Sequence, residues 1–351
     1  MECRSCESFD SRWDSFVLAN PHGTFFHLLQ WREVIWRCFG HKPFYLYAED
    51  NGEIVGVLPL FLVKSLLFGK SLVTVPLGVY GGVVAIREDA ERLLHQAAQE
   101  LARKLKVRYI EFRGNPFKNG AGPVANGGER EGFESNNLYV TFLREIDADQ
   151  EANFSRIPRK QRRMIRQGQK HGLRSVMDEN RLRDFYSVYA ESVRNLGTPV
   201  YGYHYFQALT EVLQDQCRVL MVEHRGKAIA GVLTFLYKDQ ILPYYGGSLP
   251  GSRSLAPNDF MYWELMSFGA QQGYRVFDFG RSKRESGSFA FKRHWGFEPL
   301  DLPYHYYRVN GAGLPDTSSR NPRLQWAVKV WRRLPLRLTT LLGPHLVRHI
   351  P

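Results

Sequence analysis

The chain has 351 residues, of which 44% are hydrophobic and 23% are charged, and its formal net charge is +12. This length exceeds one average core of about 100 to 200 residues and predicts two domains, while the apolar fraction excludes a disordered chain. The positive charge indicates an anionic partner, and it leaves open nucleic acid, phosphate-bearing metabolites and an acidic membrane surface.

The N-terminal part of the chain shows no targeting or membrane-spanning pattern. Its first ten residues contain acids and no apolar run, and the longest apolar stretch, 54–68, is interrupted by Pro59 and Lys64. We therefore expect a cytoplasmic protein. Beyond one Cys-x-x-C at Cys3 and Cys6, the cysteines and histidines show no paired-ligand spacing, so we predict reduced thiols and no metal site, with a zinc site as a remote alternative.

Four landmarks recur in the same order in the two halves of the chain. They are a Gly-Thr pair, a strand with a central glycine, a Tyr-Gly-Gly sequence and a short strand that carries an acid. Their positions are Gly23 and Gly197, Gly56 and Gly231, Gly81 and Gly246, and Glu111 and Asp278. The offsets stay between 165 and 175 residues, so the sequence predicts a duplicated folding unit.

The second half shows the order of elements in this unit. Apolar residues at helical spacing begin at Leu182, and a hairpin with its turn at 225–226 follows. A strand over 241–245, a helix from Pro257 to Gly273 and a short strand over 276–279 complete the unit. A strand, a helix and a parallel strand at the end of each half predict a mixed sheet with helices on both faces.

A basic segment, 152–177, lies between the two halves and contains no acid. Its cationic stripe consists of Arg159, Arg162, Arg163 and Arg166. This three- and four-residue spacing places the charges on one face of a helix, where they can bind the phosphates of tRNA or of a nucleotide-linked precursor. A solvated helix face is the alternative.

The C-terminal tail, 321–351, holds six basic residues and no acid. Apolar residues, including Trp326 and Trp331, alternate with these cations. Such a basic amphipathic pattern predicts a segment that lies on an anionic membrane, with the tryptophans at the headgroups. Packing on the protein's own first domain is an equal alternative.

Three motifs give the chain a family resemblance. The stretch FDFGRSKRESGSFAFKRHWGF, 277–297, resembles the D-x-G and F-K-x-x-x-G-F element of Fem-type (FemAB-like) peptidyl and aminoacyl transferases. The basic stretch 154–173 and the GTP-x-Y element 197–201 also match. The likeness runs from about Gly23 to about Arg308. It is most similar to the FemAB-related proteins of exosortase and PEP-CTERM exopolysaccharide systems.

The resemblance implies an α/β (α+β) fold of two tandem GNAT-like domains, the acyl-CoA N-acyltransferase fold, with mixed sheets flanked by helices. We place the first domain at 1–150, the second, with the active site, at 151–310, and the tail at 311–351. The long charged helical arm of staphylococcal Fem proteins has no counterpart in this sequence.

The implied activity is an N-acyltransferase or aminoacyltransferase reaction. It forms an amide on a cell-envelope, exopolysaccharide or peptidoglycan precursor with a free amine, in the cytoplasm or peripherally at the inner membrane. The resemblance implies no permanently bound cofactor and an aminoacyl-tRNA or acyl-CoA co-substrate. Residues 253–258, which correspond to the pyrophosphate-binding loop of acyl-CoA enzymes, match that loop poorly. They lack both of its glycines, and Pro257 has no N–H to donate. An acyl-CoA N-acetyltransferase and a non-catalytic RNA- or lipid-binding protein are the alternatives.

The resemblance also assigns candidate catalytic residues. Lys292, which we expect in a loop between Gly287 and Gly296, would neutralise a phosphate or the developing oxyanion. Asp278 would orient the amine or hold Lys292. A solvated lysine and a carboxylate paired with neighbouring cations are the alternatives.

Aromatic and polar residues near these positions are candidates for substrate binding. The aromatic candidates are Tyr201, Tyr203, Tyr244 and Tyr245. Their rings and hydroxyls suit a sugar or peptide acceptor, and packing on a sheet is the alternative. The polar candidates are Asn258, Arg281, Ser282, Arg293, Arg162 and Arg166.

Overall fold

The computed structural model describes residues 1–65, 69–117, 133–309 and 322–349. Its helices are α1 (Ser11–Ala19), α2 (Leu29–Phe39), α3 (Glu88–Leu105), α4 (Gln150–Arg156), α5 (Arg159–Lys170), α6 (Leu182–Leu196), α7 (Tyr203–Leu213), α8 (Pro257–Gln271), α9 (Gly287–His294), α10 (Pro322–Trp331) and α11 (Leu336–Val347). Its strands are β1 (Glu2–Ser5), β2 (Lys42–Asp50), β3 (Glu53–Ser65), β4 (Gly69–Val73), β5 (Val84–Ala85), β6 (Tyr109–Phe112), β7 (Phe133–Asn136), β8 (Tyr139–Thr141), β9 (Leu143–Glu145), β10 (Arg174–Met177), β11 (Cys217–His224), β12 (Lys227–Tyr237), β13 (Gln240–Ser248), β14 (Val276–Asp278), β15 (Ser282–Lys283), β16 (Leu300–Asp301) and β17 (Tyr304–Arg308).

The chain forms two compact units, whose boundaries differ from those of the predicted domains. Unit 1 comprises Met1–Val140, Asp301–Asp316 and Arg348–Pro351, and unit 2 comprises Thr141–Leu300 and Thr317–Val347. The difference has its origin in strand pairing. The strand β17 pairs with β6 and β7 of unit 1, whereas β9 pairs with β14 of unit 2. Each unit thus takes a strand from the part of the sequence that we had assigned to the other.

Unit 1 contains a mixed sheet with the strand order β1-β2-β3-β4-β6-β17-β7, and β5 pairs with β3. The strands β4 and β6 are parallel, as predicted, and α3 connects them. The apolar side of α3, with Leu94 and Ala98, packs with Leu58 and Leu60 on one face of the sheet. Aromatic packing of Trp13 in α1 against β2 covers the other face.

Unit 2 repeats this pattern with the strand order β10-β11-β12-β13-β14-β9. The predicted hairpin of β11 and β12 turns at Arg225 and Gly226, which both have positive φ, of 51° and 74°. Two consecutive left-handed residues suit the type I′ turn that connects twisted strands. The strands β13 and β14 are parallel and are connected by α8, as the sequence predicts.

The loop that we expected around Lys292 is instead the short helix α9. The hydroxyl of Ser286 caps its first turn by accepting the N–H of Phe289 at 3.2 Å. Gly296, with a φ of 77°, follows its C-terminus. The prediction of a loop was wrong because the two glycines that we took for loop markers mark the ends of a helix: Gly287 is its first residue, and Gly296 follows its C-terminus.

The tail helices α10 and α11 pack on unit 2, whereas the end of the tail, from Arg348, belongs to unit 1. There the hydroxyl of Ser65 donates to the carbonyl oxygen of His349 at 2.7 Å, so our alternative of packing on the first domain holds for this end alone among the described tail residues. A Cβ atom at Gly197 would lie 2.5 Å from the Val328 side chain of α10, and one at Gly343 of α11 would lie 2.6 Å from the carbonyl oxygen of Val200. Trp331 is buried, so this tryptophan does not face outward as predicted. Trp326 is exposed.

Candidate active site

A pocket opens in unit 2 where two parallel strands separate. The strand β14 pairs with β13 only at Gln240–Val276 and Ile241–Phe277, whereas β13 continues along β12 as far as Ser248. The space beyond holds a pocket of about 280 Å³. It is lined by Ser192, Asn195, Leu196, Gly246, Gly247, Ser248, Pro250, Arg253, Asn258, Tyr262, Phe279, Ser288, Phe291 and Lys292.

Two glycines of β13 allow neighbouring helices to approach this pocket closely. A Cβ atom at Gly247 would lie 2.7 Å from Cβ of Ser192, and one at Gly246 would lie 3.1 Å from the hydroxyl of Tyr262. Any side chain at these positions would displace a wall of the pocket. The Gly-Gly pair, which the sequence singles out, is therefore part of the site.

Lys292 brings a buried amine to the pocket wall. Its Nζ donates to the carbonyl oxygens of Gly280 at 2.9 Å and of Arg281 at 3.1 Å. The ring of Phe142 lies below, with its centroid 5.6 Å from Nζ. The side chain is only 9% exposed, so Lys292 is not the solvated lysine of our alternative.

Burial lowers the pKa of Lys292 to about 7, and the nearby charge of Arg281 acts in the same direction, while the carboxylate of Asp278 opposes both. Near neutral pH the amine is thus present in both protonation states. The ammonium form has three N–H donors, of which two bind the carbonyl groups of Gly280 and Arg281. Within the described part of the chain, the third N–H donor has no acceptor and can bind a ligand.

Asp278 is buried at the end of β14, close to this amine. Its Oδ1 accepts the backbone N–H of Gly280 at 2.7 Å, and this bond fixes the turn whose carbonyl group binds Lys292. The carboxylate favours the charged form of Lys292. Asp278 therefore acts on Lys292 through both the turn and its charge.

A buried pair that the sequence did not reveal connects α8 to the end of α9. The indole N–H of Trp295 donates to Oδ1 of Asp259 at 3.0 Å, and both side chains are buried. Burial raises the pKa of Asp259 to about 6. Because Asn258 and Lys292 are neighbours of this pair in sequence, the bond holds two walls of the pocket together. An acid in the first turn of a helix was visible in the sequence, but its partner was not.

The start of α8 offers few donors for a pyrophosphate. Pro257 has no N–H, and the carboxyl group of Asp259 accepts its own backbone N–H. Ala256 takes the left-handed conformation before the helix, with a φ of 57°. The polar side chains at this wall are those of Arg253 and the predicted Asn258.

The predicted tyrosines lie together, but none of them lines the pocket. Tyr245 is buried, and its hydroxyl shares a 2.9 Å hydrogen bond with that of Tyr205. Tyr201 packs on both rings, Tyr203 packs on Tyr186, and Tyr244 packs on Phe235. Tyr201, Tyr203 and Tyr245 thus take part in the packing of α6 and α7 on the sheet, and a role of the tyrosines in acceptor binding stays a prediction.

The remaining polar candidates occupy different environments. Arg281 contributes its backbone carbonyl group to Lys292, and Ser282 is buried with no hydrogen-bond partner for its hydroxyl among the described residues. Arg293 forms a surface ion pair with Glu298. Of the predicted residues, only Asn258 and Lys292 line the pocket itself.

The cationic stripe lies on α5, as predicted, and α5 packs on α8. Gly168 permits this contact, since a Cβ atom there would lie 2.9 Å from Cβ of Phe260. The side-chain amide of Gln167 donates to the carbonyl group of Ser254, beside the pocket residue Arg253. Arg166 stacks over the ring of Phe154 at 5.1 Å. Among the described residues, the four stripe arginines form no ion pair with a carboxylate, and this includes Arg162 and Arg166.

Three further features bear on the chemistry of the chain. Within residues 1–65, 69–117, 133–309 and 322–349, no three His, Cys, Asp or Glu side chains are grouped to hold a metal ion. The four cysteines are free thiols. No helix among these residues has the length and hydropathy to cross a bilayer.

Comparison with known proteins gives a consistent result. A family profile described as an acetyltransferase (GNAT) domain matches residues 155–293, which include every pocket residue. The lipid II:glycine glycyltransferase of Staphylococcus haemolyticus (strain JCSC1435) is 22% identical over 367 residues, covering 81% of this chain and 87% of the relative.

Solved structures share the fold over most of the chain. The crystal structure of FemX has a TM-score of 0.69 at 16% identity and covers 88% of this chain and 98% of its own. A tandem GNAT protein from the clavulanic acid biosynthesis pathway has a TM-score of 0.57 at 13% identity, with 90% and 99% coverage. The comparisons confirm the tandem GNAT fold, the Fem-type resemblance and the acyltransferase class. The association with exosortase systems stays a prediction.

Proposed function

We propose that this Fem-type tandem GNAT acyltransferase is an aminoacyltransferase that forms an amide on a peptidoglycan precursor with a free amine. The relative that matches most of the chain is a lipid II:glycine glycyltransferase, which supports this substrate class. The observation that carries the proposal is the buried amine of Lys292 at the wall of the pocket.

The reaction requires an amine, an activated carbonyl group and a stabilised oxyanion. The acceptor nitrogen attacks the ester carbonyl of the donor, and the tetrahedral intermediate carries a negative oxygen. The third N–H of the Lys292 ammonium group donates to that oxygen. The C–O bond to the donor then breaks, and the proton lost by the amine passes to the leaving alkoxide oxygen, which becomes a hydroxyl group. The carboxylate of Asp278 favours the charged form of Lys292.

Aminoacyl-tRNA is the donor that we propose. The first turn of α8 presents a proline and a carboxylate where acyl-CoA enzymes bind pyrophosphate, which disfavours a second anion there. By contrast, α5 packs on α8 and carries arginines that are without carboxylate partners in the described part of the chain. These arginines can bind the backbone of a tRNA whose acylated end enters the pocket.

The donor is tested with purified protein, an amine-bearing precursor, and either charged tRNA or acetyl-CoA. Isotope-labelled amino acids on the tRNA reveal transfer as a mass increase of the precursor. We expect transfer from charged tRNA only. Transfer from acetyl-CoA would make the protein an N-acetyltransferase, and tRNA binding without any transfer would favour a non-catalytic role.

Charge reversal on α5 tests how the tRNA is bound. The variant Arg159→Glu/Arg163→Glu changes two exposed stripe residues, and Arg92→Glu/Lys104→Glu on α3 gives the same change of net charge in unit 1. We expect the α5 variant to bind tRNA about tenfold or more weakly, with a salt dependence that is lower by about 1.5 in log–log slope. An equal loss of tRNA affinity in both variants would indicate nonspecific electrostatic attraction and would contradict binding along α5.

A further inference from the structure

The outer face of α11 carries an apolar stripe at helical spacing. Its residues are Leu338, Leu341, Leu342 and Leu346, and each is between 43% and 63% exposed. The opposite face, with Thr339, Gly343 and Val347, is buried. A helix that packs through one face normally presents polar residues on the other, so the leucine stripe indicates a partner outside the chain.

The preceding helix α10 also exposes apolar residues and adds positive charge. Trp326 is 68% exposed, and Val330 is exposed one turn further along the helix. Lys329 and Arg333 are exposed at the same helical spacing. Residues 321–351 contain six basic residues and no acid. Large apolar side chains flanked by cations are typical of helices that lie in the headgroup region of an anionic bilayer.

We propose that α10 and α11 form a docking surface for a bilayer that contains anionic phospholipid. The two helices have 10 and 12 residues, well below the ~20 needed to span a bilayer, so they would lie in its surface plane. The leucines and Trp326 enter the interface, and the lysine and arginine side chains bind lipid phosphates.

The docking surface adjoins the pocket within unit 2. The guanidinium group of Arg332, which directly follows α10, donates to the carbonyl oxygen of Leu196 at 3.1 Å. Leu196 is exposed and lines the pocket. This arrangement rests on the proposed function, and it suits an acceptor that is itself anchored in the bilayer. Docking would bring the rim of the pocket to the surface where such an acceptor is presented.

The test is flotation of the full-length protein with vesicles of phosphatidylcholine, with and without phosphatidylglycerol. We expect the wild type to float with the anionic vesicles and to dissociate as salt is raised. The variant Leu341→Ser/Leu342→Ser should reduce the bound fraction about tenfold or more. Absence of wild-type binding, or equal binding by the variant, would overturn the proposal.

A matched control comes from unit 1. Leu18 and Ile86 are 48% and 62% exposed, close to the 45% and 63% of Leu342 and Leu341. The variant Leu18→Ser/Ile86→Ser should bind vesicles like the wild type, and both variants should melt near the wild-type temperature. If lipid-free wild type forms a dimer that the Leu341→Ser/Leu342→Ser variant does not form, and vesicles do not bind, the surface is a contact between copies.

Transfer to a soluble, lipid-free precursor separates this proposal from the proposed function. We expect the variant Leu341→Ser/Leu342→Ser to retain that activity and to lose activity on a vesicle-borne acceptor. A wild type that binds vesicles but transfers to neither acceptor would contradict the proposed function alone.

Discussion

The two units share a sheet order but differ where their parallel strands end. In both, three antiparallel pairings are followed by a parallel pair, β4–β6 in unit 1 and β13–β14 in unit 2. In both, an acid lies in the last two residues of the second parallel strand, Glu111 in unit 1 and Asp278 in unit 2. What differs is the chain that faces this acid.

In unit 1 the space beyond the parallel strands is filled. On β3, Phe61 pairs with Val73 and Val57 pairs with Val84. The chain therefore advances eleven residues, from 73 to 84, while β3 advances four. In unit 2 the chain advances only five residues, from Pro243 to Ser248, while its partner strand β12 advances four. The additional residues of unit 1, within 74–83, form a loop whose carbonyl groups at Val75 and Gly78 accept the guanidinium of Arg113.

The partner of the acid follows from this difference. In unit 1 Arg113 forms a buried ion pair with Glu111 at 2.8 Å and closes the space. In unit 2 the position two residues after the acid is Gly280, and the cation is Lys292 from α9. The same fold thus contains a buried cation in each unit. Arg113 closes the core of unit 1, and we propose that Lys292 acts in the pocket of unit 2.

The largest expected effect concerns the sealed unit. The variant Arg113→Met leaves Glu111 as an unpaired buried charge and should lower the free energy of unfolding of unit 1 by about 3–5 kcal/mol. Urea unfolding measures this loss, and Arg92→Met on the surface of α3 is the control. A loss below about 1 kcal/mol would show that the pair does not hold the closed core.

The second prediction fills the pocket of unit 2 by substitution, as the loop fills unit 1. Ser288 is exposed and lines the pocket, so Ser288→Trp should block ligand entry without disturbing the core. We expect transfer to fall about tenfold or more, with an unchanged melting temperature. Ser155→Trp, on the exposed side of α4, should transfer like the wild type. Full activity of Ser288→Trp would place the reaction elsewhere.

The smallest expected effect concerns the aromatic cluster of unit 2. The variant Tyr245→Phe removes one buried hydrogen bond with Tyr205 and should cost about 1 kcal/mol of stability. Transfer should stay at the wild-type rate because Tyr245 does not line the pocket. A tenfold rise in KM with unchanged stability would restore Tyr245 as an acceptor-binding residue.

The order of elements was predictable because each unit has clear periodicity and turn chemistry. The hairpin at Arg225 and Gly226 and the helix from Pro257 are local features of the sequence. The exchanged strands β9 and β17 were not predictable, because strands of three and five residues do not specify their partners. The Tyr-Gly-Gly landmark did not predict the same structure in both units, since it lies in a loop in unit 1 but in β13 in unit 2.

Part of the site was predictable for a similar reason. Gly246, Gly247 and Lys292 carry local signals, either as glycines inside a strand or through the family motif. The pair of Asp259 and Trp295 joins residues 36 positions apart, so the sequence could not reveal it. Nor could it show that the tyrosine hydroxyls bind one another, because that depends on how α7 packs against β13.

The turnover of Lys292→Met across a pH series tests whether Lys292 serves the reaction in the pocket of unit 2. We expect about 100-fold or more loss of turnover with the fold intact, since one oxyanion donor is removed. The ammonium form predominates below its pKa of about 7, so the ratio of wild-type to variant turnover should be largest below pH 7 and should shrink as the pH rises above it. Wild-type turnover by Lys292→Met at every pH would exclude Lys292 from the reaction.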